Sequence, residues 1–189
     1  MKKFTSFFTT IAIALMSLSL VSCDDDEVIA DTLWGTWEGN MYMQCEWNGH
    51  YYTATRSMIH FDKDYDYATS GTGYWVDYYS GAPWDYYASH IRWRVSDEVL
   101  LIHSLEDDTY FRIYDYSLSD RYFSGLLEGE DGTFLDFRLV KTSSPYWDDF
   151  EWGWGSYGYP DYAPGKDLKS SDKSDITNGN IPRRVIRKI

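Results

Sequence analysis

Apolar and polar residues alternate along most of the chain between residues 33 and 141. From residue 33 to residue 45 the odd positions are apolar or glycine, and most even positions are polar. Because neighbouring side chains of a strand point to opposite faces, this period of two predicts a half-buried strand. The alternation is clean again where Ile91, Trp93 and Val95 are separated by arginines. The pattern predicts β structure.

Turn residues divide this region into eight predicted strands. Asn48-Gly49 tolerates positive φ and predicts a hairpin between the first two. The loops between runs are short and permit only antiparallel neighbours, and closure removes unpaired edges. The sequence therefore predicts an all-β fold, an eight-stranded antiparallel up-and-down barrel. The predicted strands are residues 33–45, 51–61, 65–76, a run around 90–95, 99–104, 109–116, 122–128 and 133–141.

The first 22 residues have the layout of an export signal. Lys2 and Lys3 precede an apolar run over residues 7–21, and small Ser22 stands directly before Cys23. The apolar run is shorter than the roughly 20 residues that span a bilayer, and four acidic residues follow Cys23, so cleavage is favoured over a retained anchor.

Residues 20–23, Leu-Val-Ser-Cys, resemble the bacterial lipobox. The resemblance implies a diacylglyceryl group on the Cys23 thiol and cleavage before it; an ordinary secretory signal is the alternative. The acidic run at residues 24–27 resembles the surface-export signal of Bacteroidota lipoproteins, although a short charge run can also be a solvated tether. We therefore expect an outer-membrane lipoprotein that faces the cell exterior.

Composition shifts divide the chain into four segments. They are a signal peptide (1–22), an acidic lipidated tether (23–31), the barrel (32–141), and an aromatic, glycine-rich and then polar tail (142–189), which we predict to be disordered or partly docked. The basic, amphipathic end of the tail includes Arg183 and Arg184, and docking onto the barrel is its simplest explanation.

Charge and cysteine content exclude several classes of protein. The formal net charge is −13, and removal of the signal peptide takes away two lysines and no acid, which leaves a net charge of −15. Nucleic acid is an unsuitable partner for so acidic a chain. After lipidation of Cys23 only Cys45 remains, so no intramolecular disulfide can form.

The segment Leu33-Trp34-Gly35-Thr36-Trp37 resembles the first-strand Gly-x-Trp signature of lipocalin-like proteins among Bacteroidota lipoproteins. The resemblance covers residues 32–141 and implies that Trp37 closes the barrel interior. Lipocalins also place an arginine of the last strand against that tryptophan. Arg138 is the candidate here, although Leu135, Phe137 and Leu139 indicate that the opposite face of the strand points inward.

The sequence gives no positive indication of catalysis. No nucleophile-elbow motif occurs, and acids such as Glu128, Glu130 and Asp136 are typical of solvated strands and turns. The four histidines have neither paired spacing nor a neighbouring cysteine, so they predict no metal site. We expect a non-enzymatic protein without a cofactor or a metal.

Two functional hypotheses remain. In the first, the barrel encloses a small apolar or amphipathic ligand, although the same inward residues can simply fill the core; they are Trp37, Met41, Met43, Trp93, Phe123 and Phe137, with Leu127. In the second, an external aromatic patch contacts glycans or partner proteins, unless its rings pack against the aromatic tail; that patch comprises Trp75, Tyr78, Tyr79, Trp84, Tyr86 and Tyr87.

Overall fold

The computed structural model describes residues 22–152 and 183–186. Within them lie one α-helix, one short 3-10 helix and eleven strands. The helix α1 is Ser22–Leu33, and the 3-10 helix is Trp147–Asp149. The strands are β1 (Gly35–Asn40), β2 (Gln44–Trp47), β3 (His50–Thr53), β4 (Arg56–Lys63), β5 (Ser70–Tyr78), β6 (Tyr86–Ser96), β7 (Val99–Ser104), β8 (Thr109–Leu118), β9 (Tyr122–Gly129), β10 (Phe134–Thr142) and β11 (Arg183–Val185).

Eight of these strands form a closed antiparallel barrel. Strands β4 to β10 are consecutive neighbours, and β1 closes the barrel by pairing with both β10 and β4. Burial alternates along β7 and along the second half of β6, and apolar side chains of the inner faces meet in one core. The predicted all-β, eight-stranded antiparallel barrel is confirmed.

The predicted first strand is wrong at its C-terminal half. Strand β1 ends at Asn40, and Tyr42 adopts a φ of 51°, which turns the chain away from the barrel wall. Strands β2 and β3 then form a separate hairpin, with Asn48 and Gly49 at positive φ in its turn. The turn lies where the sequence predicts it, but this hairpin and β11 make a small three-stranded sheet.

Helix α1 covers the barrel end at which β1 begins. Ala30 and Leu33 are buried, and the indole Nε1 of Trp37 donates to the Leu33 carbonyl oxygen at 2.7 Å. The Asp26 carboxylate accepts hydrogen bonds from the backbone N–H groups of Asp97 and Glu98, at 3.1 and 2.9 Å, in the β6–β7 turn. The segment predicted as a tether is therefore helical from its first residues and is bonded to the barrel.

The small sheet covers the opposite end. Cys45 and Trp47 of β2 are buried, as are Arg184 and Ile186 of the C-terminal segment. Trp84, in the β5–β6 connection, packs edge-on against Trp47 with ring centroids 5.4 Å apart. We call this sheet the lid.

No helix in the described part of the chain is long and apolar enough to cross a membrane. Residues 1–21 lie outside the described residues, as does the side chain of Cys23. The signal peptide and the lipidation of Cys23 therefore stay predictions.

Candidate functional site

The residues predicted to face the barrel interior are all buried. Trp37 contacts Phe123 with centroids 5.7 Å apart, and Phe123 contacts Phe137 at 4.8 Å, both with edge-to-face geometry. Trp93 packs edge-on against Phe61 at 5.6 Å, and Met41 and Met43 are fully buried between β1 and the lid. Their predicted burial is confirmed, and these contacts show side chains filling the positions proposed to line a ligand pocket.

The predicted external aromatic patch is not a single surface. Four of its six members, Trp75, Tyr79, Trp84 and Tyr87, are at most 4% exposed, so the prediction of exposure is wrong for them. Trp75 and Tyr87 lie on the inner faces of β5 and β6, whereas Tyr79 and Trp84 pack under the lid. Only Tyr78 and Tyr86 lie on the outer wall, where both are half-buried.

A row of three rings crosses the outer wall of strands β4, β5 and β6. His60 is paired with Tyr74, and Tyr74 with His90, in the register of the sheet. The His60 and Tyr74 rings are nearly parallel, with an interplanar angle of 16°. Three aromatic side chains that follow β10 lie on or beside this row: Trp147, Phe150 and Trp152.

These three side chains form what we call the aromatic platform. The Trp147 ring lies 4.9 Å from Tyr74 at 31°, and the Trp152 ring lies 5.0 Å from Tyr74 at 29°. Trp152 also lies 4.2 Å from His90. Both indoles therefore pack at a shallow angle against the Tyr74 ring. Trp147, Phe150 and Trp152 are each partly exposed.

A chain of hydrogen bonds fastens the start of this segment to the wall. The Thr36 hydroxyl lies 2.6 Å from the Ser144 hydroxyl and 2.7 Å from His60 Nδ1, and His60 Nε2 lies 3.1 Å from Asp62 Oδ2. The order carboxylate, imidazole, hydroxyl has the composition of a catalytic relay. Thr36 is only 1% exposed and cannot reach a substrate, so we interpret this chain as an anchor.

Two further contacts fix the other end of the platform. Glu106 accepts the backbone N–H of His90 at 2.6 Å, and its other oxygen lies 2.5 Å from His90 Nδ1, which orients the ring beneath Trp152. The Tyr86 hydroxyl accepts the backbone N–H of Glu151 at 3.1 Å. Tyr86 also packs edge-on against Phe150, with centroids 5.4 Å apart.

Three carboxylates are interspersed with the platform rings along the chain. Asp148, Asp149 and Glu151 are all exposed, whereas the platform rings pack against the wall. An ionised carboxylate only accepts hydrogen bonds, through two oxygens. The platform therefore combines flat apolar faces with a rim of strong acceptors.

A second constellation lies inside the barrel, under the lid. The guanidinium of Arg184 lies between the rings of Trp75 and Tyr87, 4.3 and 4.5 Å from their centroids. Its Nη2 atom is 2.9 Å from Asp77 Oδ2, and both side chains are fully buried. Its Nη1 atom lies 3.4 Å from the hydroxyls of Ser89 and Ser104. We call these surroundings the guanidinium cage.

The buried charges in the cage change their proton affinities. Burial raises the pKa of Asp77 above its ordinary 3.8, although Arg184 and hydrogen bonds from Ser57 and Trp75 act in the opposite direction. Burial lowers the pKa of Arg184, but nearby negative groups, Asp77 first, more than offset that effect, so the guanidinium stays protonated. Burial also raises the pKa of Tyr87, whose hydroxyl stays neutral.

An open groove of about 780 Å³ marks the place where β1 leaves the wall. Strand β1 ends opposite Arg138, so the first part of β10 extends beyond it. Phe137 lines the groove, together with charged Glu38, Arg56 and Arg138. Arg56 and Glu38 form an ion pair of 2.8 Å, and Arg138 points outward.

Sequence reasoning missed both constellations. The platform falls in the segment predicted as tail, and its signal is that residues 147–152 are all aromatic or acidic. Arg184 was visible as part of a basic amphipathic end, but nothing in the sequence connects it with Asp77. The cation over Trp37 is Lys141, with Nζ 4.9 Å from the ring, and not the candidate Arg138.

No family model matches the chain, and no curated protein matches it. Among solved structures it is similar to a redesigned β-barrel, with 13% sequence identity and a TM-score of 0.36. The match covers 61% of this chain and 95% of the other. Function is therefore inferred from the side chains themselves.

Proposed function

We propose that the protein is a lipid-anchored, non-enzymatic binding protein of the bacterial cell surface, and that its aromatic platform binds carbohydrate. The observation that carries this proposal is the packing of two partly exposed indoles, Trp147 and Trp152, against the ring of Tyr74, at interplanar angles of 31° and 29°. Each indole packs against the wall and stays partly exposed.

The chemistry of the platform suits a sugar. The C–H face of a pyranose ring is apolar and stacks on a flat aromatic face, while its hydroxyl groups need acceptors at the edge. Asp148, Asp149 and Glu151 supply those acceptors beside the rings. Preorganisation also helps, because rings that are already packed lose little conformational freedom when a ligand binds.

Net charge restricts the class of carbohydrate. The chain without its signal peptide would carry a net charge of −15, and the rim of the platform is itself acidic. Acidic polysaccharides would be repelled at low ionic strength, whereas neutral or amino sugars would not. We therefore expect a neutral or cationic glycan.

Anchoring through Cys23 would place the barrel close to the membrane. Helix α1 includes Cys23 and packs against the barrel through Ala30 and Leu33. Lipid on Cys23 would hold the α1 end of the barrel at the membrane and leave the outer wall free.

In cells, wild type should be labelled by a fatty acid and should fractionate with the outer membrane, whereas C23A should lose both properties. Persistence of labelling in C23A would contradict the anchor.

A small apolar ligand inside the barrel stays a prediction. Trp37, Phe123 and Phe137 pack against one another in the interior. Helix α1 and the lid cover the two ends. The partly exposed platform therefore has more support as the binding surface.

The direct test is a glycan array probed with the complete mature chain. We expect binding to neutral or amino-sugar glycans that is lost in both W147A and W152A. Tyr146 is 84% exposed and neighbours the platform without belonging to it, so Y146A is the matched control and should bind normally. Absence of any glycan signal, or equal loss in Y146A, would contradict the proposal and favour a protein partner.

A further inference from the structure

The guanidinium cage is built by the barrel alone. Its walls come from Asp77 and Trp75 on β5, Tyr87 and Ser89 on β6, and Ser104 on β7. Arg184, in contrast, belongs to β11, whose three residues pair with β2 at the edge of the lid. The barrel supplies the acceptors and rings, and a separate short strand supplies the cation.

The geometry of the cage suits a guanidinium better than an ammonium. The group lies within 4.5 Å of two ring centroids, and a planar cation can stack on such faces while it donates in its own plane. A lysine ammonium would present one point charge and could not fill the space between the rings in this way. Asp77 requires a cation there, because an unpaired buried carboxylate is costly.

Arg184 does not use all of its donors. Its Nη2 pairs with Asp77 Oδ2 at 2.9 Å, whereas its buried Nε has no hydrogen-bond partner among the described residues. One donor of the guanidinium therefore stays unpaired in the cage.

The lid binds the backbone of β11 in addition to the Arg184 side chain that the cage binds. Gln44, Cys45 and Glu46 of β2 pair with β11 residue by residue, as an edge strand pairs with an added peptide. Ile186 is buried two positions after Arg184 and packs against Gly129 of β9. The recognised pattern is an arginine and, two residues later, an aliphatic side chain.

We propose that the lid end of the barrel is an exchangeable acceptor site for an extended, arginine-bearing peptide, and that β11 is its occupant from the same chain. The acidic charge of the protein favours encounter with such a basic peptide. When β11 is displaced, the site takes up the corresponding strand of a partner, whose arginine replaces Arg184 beside Asp77.

The test uses the complete mature chain with a protease recognition sequence inserted within residues 166–178. The protein is folded first and cut afterwards, so that β11 stays in place without a covalent link. A fluorescein-labelled peptide with the sequence of residues 181–189 is then added, and its anisotropy is measured. We expect saturable binding and release of the cut fragment, detected by mass.

Peptide variants separate recognition from general adhesion. Arg184→Lys in the peptide should weaken binding at least about tenfold, because a point charge replaces a planar group. Val185 is on the opposite face of β11 and only partly buried, so Val185→Thr should weaken binding much less than Arg184→Lys does. Equal affinity of the Arg184→Lys peptide would overturn the proposal.

Hydrogen exchange on the uncut chain provides a second readout that needs no variant. Exchange of a labelled strand requires local opening, so the β11 amides should be protected less than those of β5. If β11 shows the protection of the global fold, or if the cut fragment never leaves, β11 is a permanent structural strand and the acceptor site is refuted.

Discussion

Arg184 Nη2 and Asp77 Oδ2 lie 2.9 Å apart inside the barrel, and neither side chain is exposed to solvent. The pair joins the C-terminal segment to β5, near the lid end of that strand. A buried ion pair of this kind contributes little net stability compared with apolar residues, but the loss of one partner is costly because the other charge stays buried.

Arg184→Met should therefore destabilise the protein by about 3–5 kcal/mol near neutral pH. Without the guanidinium the pKa of Asp77 rises further above its ordinary 3.8. A raised carboxyl pKa gives stability that is fully present below the ordinary value and lost as the pH rises through the folded-state pKa. In urea unfolding, the difference in the free energy of unfolding between wild type and variant should increase from about pH 4 to about pH 7.

The double variant D77L/R184M is the control for this prediction. It removes both charges, and it should recover most or all of the lost stability at neutral pH and show no such increase in the difference from wild type. If the double variant is as unstable as R184M at every pH, packing and not the unpaired carboxylate accounts for the loss.

Lys141→Met should cost about 1 kcal/mol, whereas Arg138→Met should change stability by less than about 0.5 kcal/mol. Lys141 Nζ lies 4.9 Å from the Trp37 ring and donates to the Thr32 carbonyl oxygen at 3.0 Å. Partial burial lowers the pKa of Lys141. Arg138 is exposed on the other face of β10. Thermal unfolding measures the stability of both variants. A larger loss of stability in R138M than in K141M would show that the wrong cation has been assigned to Trp37.

Gly73→Ala should destabilise the barrel by about 1–3 kcal/mol or more. A Cβ at residue 73 would lie 1.9 Å from the His60 carbonyl oxygen on β4, and that backbone cannot move without disturbing the sheet. A Cβ at Gly81, in the β5–β6 connection, would meet nothing within 4 Å. G81A is therefore the matched control, and denaturant midpoints that fall equally in the two variants would count against the close packing of β4 and β5.

Thr36→Val should loosen the platform as well as the barrel. The substitution keeps the shape but leaves His60 Nδ1 and Ser144 without the hydroxyl, at a cost of about 1–3 kcal/mol for a buried group. Hydrogen exchange over residues 144–152 should become faster. T72V, at an exposed position of β5, should leave it unchanged. Unaltered exchange in T36V would mean that other contacts hold the platform.

Alternation was sufficient to predict the barrel because its inner faces are apolar. The predicted strand at residues 99–104 coincides with β7. The same rule failed beyond Asn40, where the chain turns at Tyr42 and yet Met41, Met43 and Cys45 stay buried. These three side chains lie in one core that the barrel wall and the lid share. Every second residue is therefore still buried beyond the end of β1.

The platform and the guanidinium cage could not be predicted from the sequence for a different reason. Trp75 and Asp77 share the inner face of β5. A hydrophobicity pattern assigns every carboxylate to the solvent-facing side, so it cannot indicate that Asp77 is buried. The aromatic pairs Tyr78-Tyr79 and Tyr86-Tyr87 each place one ring outside and one inside, which composition cannot resolve. Partners so distant in sequence as Asp77 and Arg184 are joined only by the closed fold.

The most direct test of carbohydrate binding is the affinity of the mature protein for a glycan selected on the array, measured by calorimetry for wild type, W152A and Y146A. The platform predicts that W152A binds at least about tenfold more weakly, a loss of about 1.4 kcal/mol, while Y146A matches wild type. Wild-type affinity in a folded W152A would contradict the assignment of the platform as the binding surface.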